Sequence, residues 1–401
     1  MTNRVQDAVV PRGIVPAAIH ITSVDYRMVQ VPFWKPNHWA SGKRSGTTRL
    51  IIQVHTSAGI TGIGETICLW DFVEPVLRNT IVPLVVGQDL RIEKISRLVE
   101  GAGYYHHKRA MVAALAGVEM ALWDIIGKLA SLPLHQVWGG AFRDRVPLVA
   151  YLQCASAQEA AAEAASSAER GFRTVKLKIG MDEDSDISIV RAAREAVGST
   201  IRLRADVNGA WTVGTAKRQL RRLEDFDLEY VEQPLACDDL QGHAYLRRIS
   251  PIPIALDESA YTLQDVHNIL HAEAADVIVL DPHQAGGLQQ TRKAAAAAEA
   301  AGIPVTLHSG GELGVSTAAY LHLAAVTPNV MLAIDSHYSI QTADIVMQPH
   351  TIHEGSMGLP CAPGLGMELH EGEVERHRVE RVANTYLDPD RPGWFPTKPQ
   401  Y

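Results

Sequence analysis

The hydrophobic positions along the chain change their period near residue 143, and that change divides the molecule. Residues 19–31, 48–54 and 59–65 alternate apolar and polar side chains, which predicts three antiparallel strands. Between the first two, residues 32–47 are polar and rich in Gly, Lys, Trp and His, the pattern of a long functional loop. From Phe72 the apolar residues recur at helical spacing, most clearly Met111, Leu115, Val118, Leu122 and Ile125, until Gly139-Gly140 breaks the chain. Strands followed by helices predict an α+β domain over residues 1–142, with 1–18 as a disordered leader.

Beyond this domain, short apolar runs alternate with Ala-rich amphipathic stretches. Strands are predicted at 146–152, 174–178, 201–205, 228–231, 254–256, 275–280, 304–307 and 330–334. Helices are predicted at 157–170, 187–197, 215–223, 263–271, 288–301 and 317–325. A βα rhythm of this length predicts a parallel α/β barrel of the TIM type over 143–360. No eighth helix is legible, and the segment 361–401 is expected to return to the first domain.

Composition narrows the partners. The 401 residues carry a net charge of −8, so no basic excess argues for nucleic acid. The N-terminal stretch holds Arg4, Asp7 and Arg12 and no apolar run suited to a secretion signal or a membrane span, and a cytoplasmic protein is expected. Cys68, Cys154, Cys237 and Cys361 lie far apart, as reduced thiols do. No phosphate-binding glycine loop is present, so nucleotide cofactors find no support.

The candidate chemistry sits at the strand ends, which converge on one mouth in such a barrel. Lys176 and Lys178 alternate onto one side of their strand, where mutual repulsion is expected to depress an ammonium pKa. The following strands end in Asp206, Glu232, Asp257-Glu258, Asp281, His308 and Asp335. Asp206, Glu232 and Asp257 are 26 and 25 residues apart, one βα unit each. Three carboxylates brought together this way suit a hard dication such as Mg²⁺. Asp281 precedes His308 by 27 residues, placing a carboxylate where it could orient the imidazole and raise its pKa.

Taken in order, Ala121-Leu-Trp-Asp-Ile-Ile-Gly-Lys128, Lys176-Leu177-Lys178, Arg204-Ala-Asp-Val-Asn-Gly-Ala-Trp211, Val231-Glu-Gln-Pro234, Leu256-Asp-Glu-Ser259 and Asp281 before Gly286-Gly287 resemble the enolase superfamily, in its mandelate racemase and muconate-lactonizing branch. The resemblance implies an α+β capping domain over a modified (β/α)7β barrel. It implies Mg²⁺ held by Asp206, Glu232 and an acid of the next strand, Asp257 in preference to Glu258. Lys178 would be the base on one face of a substrate and His308, oriented by Asp281, its counterpart on the other. Lys176 would hold the developing dianion, Asp335 would support the reacting carboxylate or leaving group, and Asn208 would touch the substrate.

Asp281 stands where muconate-lactonizing and dipeptide-epimerase relatives carry lysine, which points away from those activities. The run His308-Ser-Gly-Gly-Glu-Leu-Gly-Val-Ser316 and the later Ala333-Ile-Asp-Ser-His337 resemble glucarate-type dehydratases, with departures at Ser309-Gly310 and Asp257. The expectation is a dehydratase of an aldonate or aldarate that removes the α-proton, eliminates the β-hydroxyl and yields a 2-keto-3-deoxy acid. A racemase or epimerase of a 2-hydroxy acid is the alternative, and a non-catalytic sugar-acid-binding barrel the third. On the 32–47 loop, Trp34, His38, Lys43 and Arg44, with Lys35 and Trp39, are expected to bind a small anionic substrate. The cluster from Tyr104 to Arg109 is a further candidate. Relatives of this kind commonly assemble as homo-oligomers.

Overall fold

The computed structural model describes residues 19–68, 71–103 and 108–382. The predicted leader, residues 104–107 of the aromatic and histidine cluster, and the last part of the C-terminal segment, 383–401, lie outside them.

Three antiparallel strands, β1 (Ile21–Trp39), β2 (Gly42–Thr56) and β3 (Thr61–Ile67), form one sheet in that order. The segment 32–47 is not a loop, contrary to expectation, but the outer half of the β1–β2 hairpin. Its register runs through Pro32↔Gly46, shifts, and resumes at Asn37↔Arg44 and Trp39↔Gly42. Pro32 has no amide proton for the ladder, which fits the irregularity there. Gly46 allows the strands to approach, since a Cβ would lie 2.6 Å from Val31 O. The polar side chains that suggested a loop are spent on the barrel instead. Lys35 Nζ reaches Glu163 at 2.6 Å and Glu159 at 3.2 Å, and Arg44 Nη1 donates to Gly310 O at 3.0 Å.

The helix Lys108–Ala130 is long and apolar enough to cross a membrane, but 89% of that apolar window is buried inside this fold. It packs so closely on β3 that a Cβ on Gly64 would meet Gly117 O at 1.9 Å.

The second sheet is parallel: β4 (Ala150–Tyr151), β5 (Thr174–Lys178), β6 (Arg202–Asp206), β7 (Leu228–Glu232), β8 (Ile254–Leu256), β9 (Val277–Leu280) and β10 (Val305–Leu307). Each of the seven is followed by a helix before the next strand segment. The strand expected at 330–334 is present only as two parallel bridges, Val305↔Val330 and Leu148↔Ile334, which join the sheet's two edges. The architecture is therefore a modified (β/α)7β TIM barrel with an α+β capping domain.

Two buried carboxylates of the capping domain serve as helix caps for the barrel. Glu119 accepts from Leu288 N at 2.8 Å and Gln289 N at 2.9 Å, at the start of the helix Leu288–Ala300. Gly287 has φ 120°, and a Cβ there would lie 2.4 Å from that carboxylate, which explains the second glycine of the Gly286-Gly287 pair. Glu65, ion-paired to Arg49 at 2.6 Å, accepts from Leu313 N and Ser316 N at the start of Gly314–Val326. An acid at a helix N-terminus satisfies otherwise orphaned amides and complements the dipole. These contacts seat the hairpin over the strand ends. The tail follows the capping domain, with Leu365 N donating to Asp124 and Val379 N to Met28 O. All four cysteines are free.

Candidate active site

Strand register brings the charged ends together: Lys178 pairs with Asp206 across β5–β6, and Asp206 with Glu232 across β6–β7. Lys176 Nζ, 1% exposed, bonds Asp335 Oδ2 at 2.5 Å and Glu232 Oε1 at 2.6 Å, and lies 3.2 Å from Asp206. Lys178 Nζ donates to Asp206 Oδ2 and, at 2.9 Å, to Asn208 Oδ1. The expected depression of a lysine pKa is not found. Burial disfavours each ammonium, but Asp335, Glu232 and Asp206 around Lys176, and Asp206 beside Lys178, outweigh it and raise both. Carboxylates outnumber the lysines here, so ion pairing overrides lysine–lysine repulsion.

Above these groups a cavity of about 470 Å³ opens between hairpin and barrel. Lys178, Asn208, Asp257, Glu258 and His308 line it from the barrel; Asn37, Trp39, Ser41 and Arg44 line it from the hairpin. Lys176, Asp206, Glu232, Asp281 and Asp335 do not line it and lie in the packed layer of charged residues at the strand ends. Of the anticipated hairpin residues only Arg44 and Trp39 face the cavity. Trp34 is 73% exposed, Lys35 is taken by the barrel helix, and His38 and Lys43 do not line the cavity. Several lining residues were not anticipated: Tyr151, Tyr261, Gln284, Ser309 and His337. Arg109, at the edge of the expected cluster, also lines it and stacks over Tyr261 at 4.2 Å.

His308 stands at ion-pair distance from Asp257, an acid not expected to face it, in an orientation that leaves its Nδ1 without a hydrogen bond. Its Nδ1 lies 2.8 Å from Asp257 Oδ2, while Asp281 Oδ1 accepts from Tyr320 OH at 2.6 Å and His283 N at 2.8 Å. Asp281 is the N-cap of the short helix Pro282–Ala285, which engages its Oδ1, while its Oδ2 is buried with no hydrogen-bond partner. Burial lowers the His308 pKa, but Asp257 and then Asp281 prevail and push it up to about 10.

The carboxylates were tested for their fit to a cation. Glu232 Oε2, Asp257 Oδ1 and Glu258 Oε2 are buried with no hydrogen-bond partner. Burial, then neighbouring acids, push Glu232 well up and Glu258 to about 7. Among the described residues no group of three His, Cys, Asp or Glu side chains is gathered to hold a metal ion, and the two lysines bond oxygens of Asp206 and Glu232. An all-oxygen donor set with buried, unpaired oxygens fits a hard dication.

Known proteins resemble this chain over most of its length. Residues 21–139 match the model of the mandelate racemase / muconate lactonizing enzyme N-terminal domain, and 159–373 the enolase C-terminal domain-like model. An N-succinyl-L-Arg/Lys racemase of Bacillus cereus is 28% identical, the match covering 90% of this chain and 98% of that protein. A D-xylonate dehydratase of Haloferax volcanii is 30% identical over 82% of this chain and 85% of its own length. A solved structure of an enolase from Pseudomonas fluorescens, with bound magnesium, potassium and tartrate, superposes with TM-score 0.85 at 26% identity, covering 96% of this chain and 100% of that one.

Proposed function

The chain is an enzyme that belongs to the mandelate racemase / muconate lactonizing enzyme family of the enolase superfamily, and on that premise we propose that it is a magnesium-dependent dehydratase of an acid sugar. The observation that carries this reading is that Lys178 and His308 line the same cavity, one carrying a terminal nitrogen and the other an imidazole whose Nδ1 lies 2.8 Å from Asp257. Asp206, Glu232 and one acid of the Asp257-Glu258 pair would hold Mg²⁺, which when bound neutralises these carboxylates and the charge that develops on a substrate carboxylate.

Lys178 Nζ, freed from the Asp206 carboxylate that holds it charged, gives a proton to solvent and, as a neutral amine beside Asn208 Oδ1, takes the proton α to the substrate carboxylate. The electron pair of that C–H bond becomes a double bond between the α-carbon and the carboxylate carbon, charge is displaced onto the carboxylate oxygens, and Lys176, fixed as a cation, balances it. His308 gives its Nε2 proton to the β-hydroxyl as the C–O bond breaks, and water leaves. The resulting enol tautomerises to a 2-keto-3-deoxy acid. The hairpin, with Trp39 and Arg44, excludes water and favours an anionic, polar substrate.

The test is a panel of aldonates and aldarates incubated with the protein and Mg²⁺, read for 2-keto acid. Formation from at least one member is expected, and silence across the panel would overturn the reading. The racemase among the relatives favours a second reading, epimerisation of a 2-hydroxy acid by the same two residues. That reaction in D₂O would yield deuterated stereoisomers of the substrate and no keto acid.

A further inference from the structure

Away from the cavity, two buried histidines meet where three parts of the chain join. His135 lies in the short helix Leu134–Val137 near the end of the capping domain, and His322 in the barrel helix Gly314–Val326. Their Nδ1 atoms are 3.0 Å apart, with ring centroids at 5.1 Å and planes 25° apart, so the rings meet edge to edge. His322 Nε2 lies 3.2 Å from Leu365 O in the tail. A carbonyl only accepts, so Nε2 carries the proton and His322 Nδ1 is a bare lone pair. That lone pair accepts from His135 N at 3.3 Å and from the His135 ring through its Nδ1–H. Pro133 offers the short helix no side-chain cap, so His322 meets an amide that would otherwise be orphaned. Both tautomers are thereby fixed, with one proton between the two rings.

The junction is closely packed. Leu134 N donates to Gly364 O at 2.8 Å and Gly364 N to Leu132 O at 3.0 Å, and a Cβ on Gly127 would lie 2.5 Å from Gly364 Cα. The titratable groups of the surrounding elements have partners of their own. Asp124 accepts from Leu365 N and pairs with Lys128 at 2.6 Å, Glu119 caps Leu288–Ala300, and Glu65 pairs with Arg49. Arg143 donates to Ala324 O, Arg145 to Ser356 O, Lys293 pairs with Glu93, and Arg292 lies over Trp138. His350, the other ring that bears on His322, bonds Gly314 O at 2.8 Å. Among the described residues no carboxylate is close enough to steady a positive charge on either ring. Burial lowers the His135 pKa, and burial, then His135 and His350, push His322 down to about 3.

We infer that the His135–His322 pair is an acid-released tie: with one proton between the rings it holds capping domain, barrel and tail together, and further protonation parts them. A proton on His135 Nε2 leaves a cation in the junction with no counter-charge. A proton on His322 Nδ1 would face both N–H groups of His135, so uptake of acid favours separation. Once apart, each ring ionises near its ordinary 6.5. The folded value is the lower one, so the contribution of His322 is whole above 6.5 and falls away as pH drops toward 3. At pH 5 this ring alone favours the open form about thirtyfold over pH 8. Release reaches the cavity, because the helix that carries His322 begins at Gly314, shortly after Ser309 and Gly310 in its wall.

Hydrogen exchange of the full chain, read by mass spectrometry and corrected for the intrinsic effect of pH, tests the tie. Between pH 8 and pH 5 protection should fall about thirtyfold or more, together, in peptides spanning 132–138, 316–326 and 360–367. The helix Glu183–Val197 should stay level. His135→Asn combined with His322→Gln keeps an amide donor at each position but does not titrate, and it should remove the acid step. Histidine ¹⁵N spectra at pH 8, assigned through the single variants, should show His322 as Nε2–H and His135 as Nδ1–H. An Nδ1–H ring at His322, an equal loss along the whole chain, no loss at pH 5, or the same step in the double variant would overturn the inference. Should the double variant not fold, exchange and spectrum of the wild type decide. Neither measurement uses turnover or Mg²⁺, so the outcome is independent of the reaction proposed for the cavity.

Discussion

His308 Nδ1 lies 2.8 Å from Asp257 Oδ2, two strands away in the barrel, and not against Asp281 on the neighbouring strand. The imidazole is thus paired with one of the candidate metal-binding acids. Removing that acid should do more to the histidine than removing its strand neighbour. In metal-free protein, NMR titration should place the His308 pKa at about 10 in the wild type. Asp257→Asn should lower it by more than Asp281→Asn, and the opposite order would restore the neighbour as its partner.

Magnesium should stabilise the fold. Buried, unpaired oxygens on Glu232, Asp257 and Glu258 gain partners when a dication arrives. A ligand that binds only the native state at a hundredfold excess over its Kd adds about 2.7 kcal/mol. Thermal unfolding with and without Mg²⁺ should show an upward shift in the wild type and none in Glu232→Gln. Equal shifts in both would place the ion elsewhere.

Glu119 should make stability fall as pH rises. Burial, against the Gln289, Leu288 and Trp123 donors, pushes its carboxyl from 4.5 up to about 7. Between those values the unfolded chain has lost the proton and the folded chain keeps it, so its contribution is complete below about 4.5 and lost as pH rises through 7. A shift of this size corresponds to roughly 3 kcal/mol. Denaturant unfolding from pH 5 to pH 8 should show that slope, flattened in Glu119→Gln. An unaltered slope in the variant would remove Glu119 as its source.

Lys176 should be a large stability determinant as well as a charge for the site. It compensates Asp335, Glu232 and Asp206 in a region with almost no solvent. Lys176→Met strands Glu232 and leaves Asp206 to Lys178 and Asp335 to Arg204, and breaking such a buried network costs on the order of 3–5 kcal/mol. Urea unfolding measures the loss. A change below about 1 kcal/mol would mean that the acids are compensated without it.

What the chain disclosed before folding follows from which forces are local. The barrel strands announced themselves through short apolar runs, and the strand-end acids through a spacing of one βα unit, because period and repeat length are one-dimensional quantities. The 32–47 hairpin misled because Lys35 and Arg44 look like loop residues until Glu163 and Gly310 O are seen opposite them. The His308 partner was missed because spacing reports strand adjacency and not that Asp281 is already engaged as an N-cap by His283 N. The lysine pKa was given the wrong sign because two neighbouring cations are visible in one strand while their carboxylates arrive from three others. Ser309, Glu312 and His337 were visible as motif letters, but their mutual contact links a loop to the barrel's closing segment 28 residues on.

The central claim is that Lys178 and His308 divide one elimination between them. The most direct measurement is proton exchange at the α-carbon in D₂O, with Mg²⁺ and a sugar acid that the wild type converts, using His308→Asn and Lys178→Ala. The account predicts that His308→Asn forms no keto acid yet still exchanges the α-proton, and that Lys178→Ala does neither. Loss of exchange in both variants, or keto acid from either, would contradict it.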